Sequence, residues 1–304
     1  MHNGPPLARD MSIVVLTYNR CDELRQTLDR LKAAVPDVPL VVVDNASTDS
    51  TAACVAQRFP DVKLVRAPSN LGAAGRNLGL QAAATKYVAF CDDDVCWRAG
   101  ALHRAQDILE RYDNVAALNA RVLVGPSAAT DSTCSLMAAS PLDGEPDVGP
   151  ALTGFMAGAC VVRSSAFQQV GGYWSGLFIG GEESLLALDL MERGWRILYA
   201  PELAVWHNPS PLRDSVGRER LLARNALVVA WMRLSWRDAA RHTWHVLANQ
   251  PGWHRRQKIL QNALHHYWLS GARRQPVSGH VTDMLRQVRL AQRQQNEFNR
   301  PPYP

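Results

Sequence analysis

No apolar run in this 304-residue chain approaches the roughly 20 residues that a membrane-spanning helix needs. The longest candidate, residues 151–162, is too short and is interrupted by glycine and threonine. Residues 1–10 also lack the charged start and the apolar stretch of a secretory leader. From these absences we expect a cytoplasmic protein rather than a membrane-spanning or secreted one.

Cysteine is scarce and follows no recognisable pattern. The six cysteines form no C-x-x-C pair and show no paired zinc-type spacing, which argues against the common structural zinc sites. We expect reduced, unpaired thiols. The sequence also shows no internal repeat, so a repeat architecture is not expected.

Charge is divided unevenly along the chain. Residues 1–210 hold 17 Lys and Arg against 23 Asp and Glu, a net charge of −6, whereas residues 211–304 hold 16 against 5, a net charge of +11. A basic segment predicts an anionic partner, which can be a nucleic acid, a membrane surface or a phosphorylated acceptor. Because no recognised nucleic-acid-binding module is present, we expect no nucleic acid.

The basic segment is predicted to be helical from residue 218 onward and is rich in tryptophan. Its tryptophans are Trp231, Trp236, Trp244, Trp253 and Trp268. Amphipathic helices of this composition can lie on a membrane, or they can pack on the rest of the protein with their arginines solvated. We favour packing, with peripheral contact at the inner face of the membrane as the alternative.

The first half alternates short β-branched runs with amphipathic stretches, a pattern that predicts an α/β fold. Strands are predicted at residues 13–17, 40–43, 62–65, 87–90, 158–163, 195–199 and 204–207, and helices at 21–34, 51–59, 75–84 and 182–193. This repetition implies right-handed crossovers and a mostly parallel sheet. Residues 125–150 are rich in small, polar and turn-forming types, which predicts a mobile loop or insertion.

Polar side chains follow four of the predicted strands. They are Thr17 to Arg20, Asp44 with Asn45, Asn70, and Asp92 to Asp94. In open parallel sheets, ligands bind beyond the carboxyl ends of the strands. The sequence therefore predicts one shared cleft at this edge of the sheet.

Three adjacent aspartates, Asp92, Asp93 and Asp94, follow the fourth predicted strand; we call them the aspartate triplet. Adjacent carboxylates repel one another unless a cation compensates them. Mg²⁺ and Mn²⁺ take oxygen ligands, which they usually share with substrate phosphates. Asp92 and Asp94 would then bracket a metal ion, and the alternative is a solvated turn that caps the following helix.

Four segments, in this order, resemble the family 2 glycosyltransferases, which share the GT-A fold. They are SIVVLTYNR, VVVDNASTDST, SNLGAAGRNLGL and YVAFCDDD. The resemblance extends to His207. It implies a Rossmann-like domain with a mostly parallel central sheet that holds a nucleotide sugar together with Mn²⁺ or Mg²⁺.

The resemblance and the charge division together suggest a domain organisation. We expect a GT-A catalytic domain at residues 1–210, with a nucleotide-binding part at 11–124 and an acceptor part at 151–210. A basic, mainly helical C-terminal region would follow at residues 211–304.

Carried over by position, the resemblance implies roles for the matching residues. Those expected around the nucleotide sugar are Thr17, Tyr18, Arg20, Asp44, Asn45, Asn70, Gly72, Arg76, Asp92 and Asp93. Asp44 would meet the base, Arg76 would approach the donor phosphates or ribose, and Asp94 would ligate the metal. For Arg76 the alternative is a surface helix cation.

Gly180 and Gly181 precede Glu182 and Glu183, the glutamate pair, at the start of a predicted helix. The four residues resemble the family's acidic motif, whose second carboxylate acts as general base. That position is Glu183 here, where the family has aspartate, and Glu182 is the alternative base. Two acids that only stabilise a helix N-terminus would leave the preceding glycines unexplained.

Two further candidates lie near the glutamate pair. His207 follows a predicted strand where the family often has a metal-binding histidine, and a neutral imidazole suits Mn²⁺ beside Asp94. A capping or core histidine is the alternative. Trp174 precedes the glutamate pair and can stack on an acceptor sugar or pack in the core.

Together these residues predict an inverting hexosyl- or deoxyhexosyltransferase. One base would deprotonate the acceptor hydroxyl, while the metal neutralises the departing diphosphate. We expect a UDP- or dTDP-linked donor and an acceptor that is a glycan or lipid-linked. The alternatives are a sugar nucleotidyltransferase, which would need a glycine-rich loop in place of TYNR, and a non-catalytic nucleotide-sugar-binding protein.

Overall fold

A computed structural model describes residues 10–209 and 215–298 of the chain. Its strands are β1 Met11–Thr17, β2 Leu40–Asp44, β3 Lys63–Arg66, β4 Tyr87–Asp92, β5 Val95–Trp97, β6 Val115–Val124, β7 Ala129–Thr130, β8 Leu142–Glu145, β9 Gly149–Ala151, β10 Cys160–Arg163 and β11 Arg196–His207. Its helices are α1 Cys21–Ala34, α2 Thr51–Arg58, α3 Gly75–Ala83, α4 Ala101–Arg111, α5 Ser132–Ala138, α6 Ser164–Gln169, α7 Glu182–Glu192, α8 Ser215–Arg233, α9 Trp236–Ala248, α10 Trp253–Leu269 and α11 Gly279–Phe298.

One mixed sheet organises the first two thirds of the chain, in the order β3-β2-β1-β4-β10-β6-β11-β9-β8. The strands from β3 to β4 are parallel, and so are β6 and β11, whereas β10 runs antiparallel to both neighbours. The central strands are runs of valine, isoleucine and alanine that are buried on both faces, as parallel strands between helical layers require. The predicted α/β class is confirmed.

Residues 125–150 form strands and a short helix, so the prediction of a mobile loop is wrong, whereas the alternative of an insertion stays a prediction. Strand β7 pairs with β6, and the hairpin of β8 and β9 joins the sheet beside β11. Glycine allows the two backbones of this hairpin to approach closely, because a Cβ on Gly144 would lie 1.9 Å from the carbonyl oxygen of Gly149. Two strands are predicted at residues 195–199 and 204–207, but the structure has a single strand there, β11, with a register shift between Ala200 and Ala204.

The C-terminal helices α8 to α11 share a second apolar core with α7, which confirms the predicted helical C-terminal region. Leu185 and Leu188 of α7 pack in this core with Leu227 of α8 and Ile259 of α10. The predicted boundary at residue 210 lies outside the described residues, and the division into two domains stays a prediction. No helix within the described ranges is long and apolar enough to cross a membrane.

Candidate active site

The polar clusters predicted at the strand ends lie side by side. Thr17 at the end of β1 pairs with Asp44 at the end of β2. Leu16, which precedes Thr17 on β1, pairs with Asp92 at the end of β4. The carboxyl ends of β1, β2 and β4 therefore form one edge, where the polar side chains meet. This arrangement follows from the parallel pairing, which brings equivalent strand ends together.

Asp44 is buried beneath the strand ends and is not exposed to the cleft. Its side chain is 0% exposed, and its carboxylate accepts hydrogen bonds from the Ser47 backbone N–H at 2.8 Å and from Arg66 Nε at 3.2 Å. The Ser47 bond fixes the turn that follows β2. Asp44 thus orders the backbone around the cleft in this structure.

Asn45 connects the end of β2 to the segment before α3. Its amide group donates to Asn70 Oδ1 at 2.9 Å and to the Gly72 carbonyl at 3.0 Å, and its oxygen accepts from the Leu71 backbone N–H at 3.0 Å. Tyr18 lies at the neighbouring strand end and is 42% exposed. A fixed backbone beside an accessible aromatic ring is suited to holding a planar base.

Gly72 brings the donor segment against the segment that precedes α7. A Cβ on Gly72 would lie 2.0 Å from the Phe178 carbonyl oxygen, and the same oxygen accepts a hydrogen bond from the Ala73 backbone N–H at 2.6 Å. Phe178 itself has a φ of +65° and is exposed. Such backbone strain in a non-glycine residue clusters at functional sites, and nothing in the sequence around Phe178 signalled it.

Arginines compensate the aspartate triplet. Arg20 Nη1 donates to Asp93 at 2.6 Å, and both terminal nitrogens of Arg20 lie 3.3 Å from Asp94 Oδ2. Thr17 Oγ1 also donates to Asp93, at 2.9 Å. Burial nevertheless raises the pKa of Asp93 to about 7, against the opposing effects of Arg20 and Thr17. Arg20 was expected around the nucleotide sugar, but here it pairs with the triplet.

Arg76 forms the corresponding pair with Asp92. Its guanidinium Nη2 donates to Asp92 Oδ1, and the residue is only 6% exposed, so it is not the surface cation of the alternative interpretation. Although burial opposes the charged form, the Asp92 carboxylate raises the pKa of Arg76. Gly158 makes room for this carboxylate, because a Cβ there would lie 2.5 Å from Asp92 Oδ2.

The two main metal-ligand candidates lie together. His207 Nε2 is 3.6 Å from Asp94 Oδ1, since β11 ends beside the turn between β4 and β5. Asp92 does not join them: within the described residues, no three His, Cys, Asp or Glu side chains form a group that could hold a metal ion. One carboxylate and one imidazole still suit Mn²⁺, and Mg²⁺ would use the carboxylate; both ions complete their coordination with water and substrate phosphates.

The glutamate pair begins α7, and its second member faces the triplet. The carboxylate of Glu183 is half-buried and interacts electrostatically with Arg76 and Asp92. Burial raises the pKa of Glu183 despite Arg76. Glu182 is 4% exposed, and its Oε2 has no hydrogen-bond partner within the described residues. Burial and then the Glu183 charge raise the pKa of Glu182 to about 7.

Trp174 packs rather than facing the triplet. It contacts the second core, with its ring centroid 6.3 Å from that of His266.

Asn225 of α8 was missed by the sequence analysis, although it holds the segment that leads into α7. Its buried amide group donates to the carbonyls of Leu177 at 2.9 Å, Ile179 at 3.0 Å and Gly180 at 2.6 Å. Only the tertiary fold brings α8 to these carbonyls, so no local signal could identify it.

Comparison with known proteins agrees with this geometry. Residues 12–171 match the model of the family described as glycosyl transferase family 2. The N-acetylglucosaminyl-diphospho-decaprenol L-rhamnosyltransferase of Mycobacterium tuberculosis is 28% identical over 247 residues, covering 69% of this chain and 78% of that protein. The pre-mycofactocin glycosyltransferase of the same organism is 30% identical over 247 residues, covering 75% of this chain and 50% of that protein.

A solved structure shows the same fold. The mannosyltransferase PcManGT from Pyrobaculum calidifontis, in complex with GDP-Man and Mn²⁺, superposes with a TM-score of 0.57 at 20% identity. The match covers 98% of this chain and 78% of that chain. The predicted GT-A fold is thereby confirmed.

Proposed function

This chain belongs to glycosyl transferase family 2 and is a glycosyltransferase, and we propose that it is a metal-dependent, inverting one that uses a nucleoside-diphosphate sugar. The alternatives of a sugar nucleotidyltransferase and a non-catalytic binding protein receive no support, because the relatives are named as glycosyltransferases. The proposal is carried by one observation: His207 Nε2 lies 3.6 Å from Asp94 Oδ1, beside aspartates that Arg20 and Arg76 hold in ion pairs.

The donor would lie along the edge formed by the ends of β1, β2 and β4. Tyr18 offers an exposed ring there, and Asn45 holds the backbone on which the nucleoside would rest. Asp94 and His207 would hold Mn²⁺ or Mg²⁺. When bound, the metal would supply charge neutralisation for the departing diphosphate.

Glu183 would act as the general base. Its carboxylate would take the proton from the acceptor hydroxyl, and a raised pKa makes a carboxylate better suited to that task near neutral pH. The oxygen would attack the anomeric carbon while the bond to the diphosphate breaks. A single displacement of this kind inverts the anomeric configuration.

We propose a lipid-linked acceptor, because the first relative is named for a substrate in which a sugar is joined by diphosphate to decaprenol. The C-terminal helices carry exposed tryptophans beside arginines, among them Trp244 and Trp268 at 76% and 77% exposure. Such side chains favour a membrane interface. The protein would then act in the cytoplasm, in peripheral contact with the membrane that holds its acceptor.

A thermal-shift screen tests the donor assignment. UDP, dTDP and GDP and their sugars would be added with and without Mn²⁺. A ligand at a hundredfold excess over its Kd stabilises the folded state by about 2.7 kcal/mol. We expect one nucleotide sugar to raise the Tm only with the metal. No shift with any donor would contradict the proposal.

A further inference from the structure

A cavity of about 610 Å³ lies between α8 and α10, away from the aspartate triplet. Its lining includes Arg220, Arg224, Arg255 and Lys258, together with His254 and His265. No predicted site residue lines it. The cavity therefore concentrates positive charge in a place that the donor chemistry does not use.

Among the described residues, little negative charge balances these cations. Glu219 pairs with Arg255 at 2.9 Å, and no other carboxylate in the part of the chain that the structure describes forms an ion pair with Arg220, Arg224 or Lys258. Arg224 donates instead to neutral oxygens, at 2.5 Å to Asn225 Oδ1 and at 3.4 Å to the Leu177 carbonyl. Like charges held close together favour the binding of an anion.

The cavity adjoins the segment that leads to the glutamate pair. His266, also on its wall, contacts the Gly176 carbonyl through Nε2, and Arg224 reaches the carbonyl of Leu177. Asn225, next to Arg224, holds the carbonyl of Gly180. An anion in the cavity would thus be held one short segment away from Glu183.

One side of α10 offers apolar surface next to the cavity. Trp253, Leu264 and Trp268 are exposed, and their spacing of eleven and four residues places them along one face of the helix. Lys258 and His265 lie on the adjoining face and line the cavity. The helix thus presents an apolar face beside a cationic cavity. A ligand with an anionic group and an apolar chain would fit both surfaces.

We propose that this cavity binds the diphosphate group of a sugar–diphosphate–lipid acceptor and that the exposed face of α10 contacts the lipid chain. The inference rests on the proposed glycosyltransferase function and names its acceptor class. The donor diphosphate would lie among carboxylates and need a metal, whereas the acceptor diphosphate would be held by arginine and lysine without one.

The test uses the full chain and the double substitution Arg220→Gln with Lys258→Gln, because both side chains line the cavity at exposed positions. Arg237→Gln is the matched control, an exposed cation on α9 outside the cavity. Melting curves first establish that all variants are folded. Inorganic pyrophosphate and orthophosphate are then titrated by calorimetry with EDTA present, so that no metal-dependent binding at the donor site contributes.

We expect the wild type and the control to bind pyrophosphate more tightly than orthophosphate, and the double variant to bind it at least about tenfold more weakly. No pyrophosphate binding by the wild type, or equal binding by the double variant, would overturn the proposal. Equal affinity for the two anions would assign the cavity to free phosphate and would overturn it as well.

A kinetic comparison then identifies the source of the diphosphate. The acceptors are N-acetylglucosaminyl diphosphate on a short prenyl alcohol and the N-acetylglucosaminide of the same alcohol without diphosphate. We expect the double substitution to raise KM about tenfold for the first acceptor only, with kcat unchanged. An unchanged KM, or the same rise for both acceptors, would contradict the assignment. Binding of the variants to phosphatidylglycerol vesicles is measured as well. If the double variant loses vesicle binding to the same extent, the cavity binds lipid headgroups and the assignment is wrong.

An incorrect assignment of the cavity and an incorrect proposed function would give different results. If nucleotide-sugar binding with Mn²⁺ persists while pyrophosphate binding is absent, only the cavity assignment is wrong. If pyrophosphate binds in the cavity but no nucleotide sugar binds with Mn²⁺, the donor assignment is wrong.

Discussion

The aspartate triplet and the glutamate pair contain the same chemical group in contrasting surroundings. Arg76 pairs with Asp92, and Arg20 with both Asp93 and Asp94. In the glutamate pair, Glu182 Oε2 has no hydrogen-bond partner within the described ranges, and burial raises the pKa of both members.

The difference separates two tasks that carboxylates perform in one cleft. Partners of opposite charge favour the ionised form, which suits a group that must hold a cation and a nucleotide. Burial favours the protonated form. It raises the pKa of both glutamates and also that of Asp93, although Arg76 opposes this at the pair and Arg20 opposes it at Asp93. The two sites therefore differ in direct ion pairs, which the triplet has and the glutamates lack within the described residues. We assign binding to the triplet and proton transfer to the pair, and three substitutions can test that assignment.

Glu183→Gln should have the largest effect, because glutamine keeps the size of the side chain but cannot take the acceptor proton. We expect kcat to fall about 100-fold or more while the donor Kd changes little. Steady-state kinetics and calorimetry on the purified enzyme measure the two quantities. Glu182→Gln is the matched control and should retain most of its activity. An inactive Glu182→Gln beside an active Glu183→Gln would move the base one residue earlier.

Asp94→Ala should act on binding, because it removes a carboxylate expected to hold the metal. We expect Mn²⁺-dependent donor affinity to fall at least about tenfold, because loss of an outer-shell partner alone costs about 10- to 100-fold, with the fold intact by circular dichroism. Asp61→Ala is the control, since Asp61 is exposed and pairs with Lys32 away from the cleft. Unchanged Mn²⁺-dependent affinity in folded Asp94→Ala protein would remove Asp94 from the metal site.

Glu182→Gln should have the smallest effect, a gain in the free energy of unfolding whose size depends on pH. Because the folded-state pKa is raised from 4.5 to about 7, ionisation of buried Glu182 lowers the stability of the wild type as pH rises through this window. Glutamine avoids that cost, so the variant should gain about 1 kcal/mol, or about 2 °C in Tm, near pH 8. The gain should vanish near pH 4.5. Melting curves that show an equal or larger gain at the lower pH would contradict this account of the pair.

The first half of the fold could be predicted because its signals are local. The helix predicted at residues 21–34 is observed as Cys21–Ala34, since leucines on one face define it and the buried strand Met11–Thr17 precedes it. The polar strand ends also meet as predicted, because parallel pairing leaves no other arrangement.

Long-range contacts account for what the sequence could not predict. The pairing of Arg76 with Asp92 requires α3 and β4 in place, and the cavity requires α8 and α10, which α9 separates in the chain, to pack together. Residues 125–150 misled the sequence analysis because glycine marks tight hairpins and mobile loops alike. Here Gly144 and Gly149 allow two strands to approach closely.

Anomalous diffraction from crystals grown with Mn²⁺ and the nucleoside diphosphate that stabilises the protein would test the central claim most directly. The claim is that the ends of the parallel strands form the donor site and that α7 brings the base to it. We predict a manganese peak bonded to Asp94 and His207, with the nucleotide beside Tyr18 and Glu183 facing the diphosphate. A manganese peak or a nucleotide elsewhere, with Asp94 and His207 unligated, would contradict the account.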